Sequence, residues 1–129
     1  MKRLALALAL FATPALADSS LPPAKYDIGG ETEIDTLAMF DKLFDDAVLI
    51  RVPPDQVMPE CNALQMERYG TPYPAIEGTQ LLGCMIRNWD YSDAVIVYVA
   101  DPERPWLANR ILRHEIGHLL GWPGTHTRR

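Results

Sequence analysis

His114, Glu115 and His118 form an HExxH motif inside the run RHEIGHLLGWPGTH, which extends from Arg113 to His126. A helix repeats every 3.6 residues, so side chains four apart share a face, and two imidazoles placed that way can hold one metal ion. The chain holds three histidines, and all of them fall in this window. Imidazole ligands at this spacing suit zinc (Zn2+). A zinc site that does chemistry uses three protein ligands and keeps one position open for water. The expected third ligand is His126, brought back after Gly121 and Gly124 let the chain turn. Asp101 and Glu103 are reserve ligands.

Glu115 is the expected general base, taking a proton from metal-bound water and passing it to the leaving group. Tyr69, Tyr73, Tyr91, Tyr98 and Arg113 are available to stabilise an oxyanion, and the sequence does not choose among them. Gly117, inside the motif, costs the helix about 1 kcal/mol relative to alanine. A glycine there suits close approach by another backbone or room beside the metal. The bland alternatives are two solvated or core-satisfied histidines, a surface carboxylate at Glu115 paired with arginines, and a frayed terminal His126.

The elements that must position these groups read as an α+β domain. Residues 18–30 carry Pro-Pro and Gly-Gly without a period, a flexible leader. From 33 to 47 apolar residues recur at helical steps, and Thr32 with Asp35 resembles a capping pair. A strand is expected over 48–52, stopped by Pro53 and Pro54. Residues 53–80 are rich in proline and glycine and read as a long connection with one short helical turn near 61–68. Strands over 81–87 and 93–100 follow, the second apolar and β-branched enough to be central. Pro105 then opens a helix over about 106–120, ended by Gly121 and Pro123. Leu112, Ile116, Leu119 and Leu120 are its expected core stripe, with His114 and His118 on a neighbouring face.

Residues 1–17 have the layout of a secretory signal peptide: Lys2 and Arg3, an apolar Leu/Ala core, and Ala15-Leu16-Ala17 as the cleavage site. The product expected is a periplasmic or secreted single domain covering 31–129 behind its leader. The net charge of −5, more negative once Lys2 and Arg3 are removed, argues against nucleic acid. Nothing after residue 17 is apolar for long enough to cross a membrane. Cys61 and Cys84, an even pair in an exported chain, predict a disulfide in preference to free or metal-binding thiols.

The segment from His114 to Gly121 resembles the zincin metallopeptidases, and most closely the metzincin pattern HExGHxxGxxH. It is also similar to short exported bacterial proteins carrying RHEIGH followed by GWPG and a histidine. The resemblance implies a zincin-like domain with a backing helix, a short twisted mixed sheet and a C-terminal active-site helix. It implies His114 and His118 as metal ligands, Glu115 as the base and Gly121 as the turn. The chain departs from the metzincins where Gly124 stands in place of their third histidine, and it has no methionine downstream of the motif. Any cleft must be built from 53–80 and a strand edge at 81–87.

The expected activity is zinc-dependent hydrolysis of a peptide or protein substrate. The alternatives are a non-catalytic module whose zinc clamps the C-terminus and a metal-free interaction domain.

Overall fold

A computed structural model of the chain describes residues 22–74, 77–87 and 93–124. The signal-peptide reading of 1–17 lies outside the described residues, as do Tyr91 and His126. The described elements are helix α1 (Glu33–Leu43), strand β1 (Ala47–Val52), helix α2 (Val57–Tyr69), strands β2 (Gly83–Arg87) and β3 (Ala94–Val99), and helix α3 (Pro105–Leu119). Short 3-10 turns occupy Ala24–Tyr26 and Pro54–Gln56. The domain is α+β, as its pattern of elements leads one to expect. None of the described helices is long and apolar enough to cross a membrane.

The sheet is mixed, with order β1-β3-β2. β1 runs parallel to β3 with Ala47 opposite Ala94, and β2 runs antiparallel to it with Gly83 opposite Tyr98. All six residues of β3 are buried, because helices cover both faces of the sheet. Val95, Val97 and Val99 point to one side, where they meet Val57, Cys61 and Cys84. Ile96 and Tyr98 point to the other, against Phe40, Ala108, Leu112 and Ile116. α2 therefore packs on one face, and α1 and α3 share the opposite one.

Three expectations about the frame are corrected. Residues 53–80 are not mainly a connection: thirteen of them form α2 and three more the 3-10 turn Pro54–Gln56. Pro59 sits in the first turn of that helix, where its missing N–H has no intrahelical partner to lose, so it does not break the helix. Gly70, at φ 72°, closes the helix in the left-handed region. α1 ends at Leu43 rather than 47, since Phe44 is already extended and Ala47 pairs into the sheet. The Thr32–Asp35 capping box does open it.

The second half of the leader is held in place. Asp27 accepts from the guanidinium of Arg113 at 2.9 and 3.0 Å and from Gly29 N–H at 2.8 Å. Thr36 Oγ1 donates to Asn109 Oδ1 at 2.6 Å and shares that proton with the Gly29 carbonyl at 3.1 Å. Residues 22–30 thus strap the junction of α1 and α3. Beyond the Ala24–Tyr26 turn, proline and glycine exclude regular structure there without excluding order.

Cys61 and Cys84 form a disulfide, both fully buried. It joins α2 to β2 across the core.

Candidate functional site

α3 begins at Pro105, whose fixed φ suits a first helical position. Its buried stripe is Leu107, Ala108, Leu112 and Ile116, with Leu119 packed beside it. Leu120 is not part of that stripe. It stands at the C-cap, 39% exposed, where the helix has already stopped turning toward the sheet.

His114, Glu115 and His118 come together at the C-terminal end of α3. His114 and Glu115 are each only 6% exposed, and His118 is partly buried. The Nε2 atoms of His114 and His118 lie 3.2 Å apart. Twice a zinc–imidazole bond of ~2.0–2.1 Å exceeds that separation, so one ion can reach both nitrogens. Glu115 Oε2 stands 3.9 Å from His114 Nε2, close to the same point. The donor set thus fits zinc at two positions. Among the described residues no group of three or more His, Cys, Asp and Glu side chains is placed to hold a metal ion. The third expected ligand, His126, lies outside them.

The turn that follows α3 sets the orientation of His118. Gly121, at φ 109°, supplies a backbone conformation that side chains resist. Gly121 N–H then donates to the His118 carbonyl at 3.1 Å, and Trp122 N–H donates to the Gly117 carbonyl at 2.9 Å. These two bonds make a Schellman motif. The chain folds back so far that the Trp122 carbonyl accepts from His118 Nδ1 at 3.0 Å. A carbonyl only accepts, so Nδ1 carries the proton and Nε2 presents its lone pair toward His114. Burial lowers the His118 pKa below its ordinary 6.5; the bond to Trp122 opposes this, and the positive charge of Arg87 adds to it. The ring is accordingly neutral at pH 7, the form that binds metal.

Two glycines let other elements close on this helix end. An alanine Cβ at Gly83 of β2 would stand 2.5 Å from Ile111 Cγ2 and 3.3 Å from Glu115 Cγ. The bare backbone of Gly83 is what allows the strand to lie under Glu115. A Cβ at Gly117 would meet Pro22 at 2.7 Å and the Tyr26 carbonyl oxygen at 3.3 Å. The close backbone approach expected at Gly117 is therefore made by the strap. Gly117→Ala should destabilise the protein by about 1–3 kcal/mol through overpacking, although alanine is the better helix former by ~1 kcal/mol. Denaturant unfolding checks this, and a neutral or stabilising result would show that Pro22 does not seat there.

The other residues singled out from the sequence are engaged elsewhere. Asp101 binds the guanidinium of Arg104, and it and Glu103 precede α3. His114 stands nine residues, about 13 Å, along the helix from Pro105, so neither carboxylate joins the histidines. Tyr98 donates to Glu33, which also holds Arg51. Tyr69 donates to the Arg87 carbonyl, the Tyr73 backbone bonds to Asn62, and Arg113 is paired with Asp27.

Two contributors were not foreseen from the sequence, Gly83 and Trp122. The Trp122 ring is stacked on His118, with centroids 4.9 Å apart and planes at 23°. It meets His114 edge-on, also at 4.9 Å. A signal for it existed: the residue after a C-terminal helix glycine is where this capping motif makes its apolar contact. Comparison with family models, with curated proteins and with solved structures finds no match to this chain.

Proposed function

We propose that the chain is a small exported zinc-dependent hydrolase, a metallopeptidase in which Glu115 acts as general base. The observation that carries this reading is the 3.2 Å approach of the His114 and His118 Nε2 atoms with the Glu115 carboxylate beside them. His114 and His118 would hold the zinc, with His126 as the third ligand. Zinc bound there supplies a Lewis acid that acidifies water and polarises a carbonyl.

The chain's own residues do the rest. Glu115, shielded from solvent, takes the proton of the attacking water and returns it to the departing amine. β2 is an edge strand and passes beneath Glu115 at Gly83, so an extended peptide added to that edge would bring a carbonyl toward the base. α2 covers the opposite face of the sheet and gives the site no wall, so among the described residues the strand edge at β2 is the wall proposed.

Protein purified without chelators should contain one zinc per chain, and His114→Ala or His118→Ala should each lose it. Chelation should abolish hydrolysis of an unstructured peptide, and added zinc should restore it. Substoichiometric metal of every kind in the purified protein would sink this reading. The burial of His114 and the closure of Trp122 over both rings favour a second reading, a non-catalytic zinc clamp, since structural sites are closed. In that case zinc raises the melting temperature and the wild type hydrolyses nothing.

A further inference from the structure

The HExxH residues account for ligands and a base, but not for what keeps two neighbouring imidazoles turned toward one point. Helix-borne histidines four apart can rotate outward, and each has two nitrogens to offer. Here three contacts remove that freedom, two at His118 and one at His114. Its Nδ1–H donates to the Trp122 carbonyl, its ring is stacked on the indole, and the same indole meets His114 edge-on. Trp122 is itself pinned by its N–H bond to the Gly117 carbonyl and is only 6% exposed.

We propose that Trp122 is the positioning residue of this metal site. Its carbonyl selects the His118 tautomer that turns the Nε2 lone pair toward His114 Nε2, and its indole fixes the planes of both imidazoles before any ion arrives. The role of metal positioner rests on the zinc reading above; the tautomer assignment does not. The arrangement follows from local chemistry. A glycine at position 121 admits the turn, and a large flat apolar side chain at 122 holds the turn down over the rings. Partners of this kind, one step behind the ligands, typically change metal affinity roughly 10- to 100-fold when removed.

The test has two independent arms. In the full-length metal-free chain, long-range 1H–15N correlation spectra of the histidine rings should show His118 with its proton on Nδ1. In Trp122→Ala the turn loses its anchor, so this preference should weaken, and zinc Kd from competition titration should rise roughly 10- to 100-fold. Trp122→Phe keeps a stacking ring and should bind zinc within about threefold of wild type, with the tautomer retained. A wild-type His118 protonated on Nε2 overturns the proposal, and so does a Trp122→Phe variant as weak as Trp122→Ala. Unchanged zinc affinity in a folded Trp122→Ala also overturns it. If Trp122→Ala fails to fold, the wild-type tautomer and the phenylalanine variant still decide. A wild type that binds no zinc removes the hydrolase reading and the metal-positioning role with it; the tautomer arm then reports the preorganisation separately.

Discussion

Glu115→Gln is expected to keep zinc bound and to lower peptide hydrolysis by roughly 10²- to 10⁴-fold. Glutamine has the shape of glutamate, so it fits the narrow space over Gly83, where the Glu115 methylene stands against the strand. What it lacks is a basic oxygen. The carboxylate beside His114 Nε2 is buried, so its interaction with a zinc ion bound there would be screened little by water. Loss of that charge should therefore show in kcat, with zinc stoichiometry and the melting temperature of the loaded protein nearly unchanged. Equal rates for the variant and the wild type would remove Glu115 from the chemistry. A wild type with bound zinc and no hydrolysis would instead point to the clamp, in which Glu115→Gln leaves partner binding intact.

The second large effect concerns the frame. Replacing Cys61 and Cys84 together with alanine should cost about 3 kcal/mol from the freedom returned to the unfolded chain, given their separation of 23 residues. Both sulfurs are fully buried between α2 and β2, so the lost volume adds a cavity term. A domain of this size should lose on the order of 15 °C in melting temperature. The consequence extends to the site, because Cys84 is followed along β2 by Arg87 and preceded by Gly83, the residue under Glu115. A strand freed at Cys84 loosens the floor of the site, so zinc affinity should fall with stability. A double variant within 1 kcal/mol of wild type would show that α2 and β2 hold together without the bond.

Much of this protein is written in short stretches of its sequence. The HExxH spacing brings His114 and His118 to one edge of α3 because helix geometry is local. The Thr32–Asp35 cap, the central strand from Ala94 to Val99 and the Gly121 stop are local too, each decided by residues within a few positions. The unpaired-looking glycine at 117 announced a neighbour without naming it.

Tertiary structure decided the remainder, since contacts between distant segments leave no periodic trace. Pro59 reads as a breaker until its place in the first turn of α2 is known. Residues 22–30 read as loose because proline and glycine suppress every regular pattern, yet Asp27 finds Arg113 more than eighty residues on and Pro22 finds the notch at Gly117. The reserve ligands Asp101 and Glu103 fail because they precede α3, more than two helical turns before His114, with Asp101 paired to Arg104. The motif in the sequence supplied two imidazoles and a carboxylate. The fold chose which nitrogen of His118 faces the shared point, by folding the chain back so that a carbonyl reaches the other one.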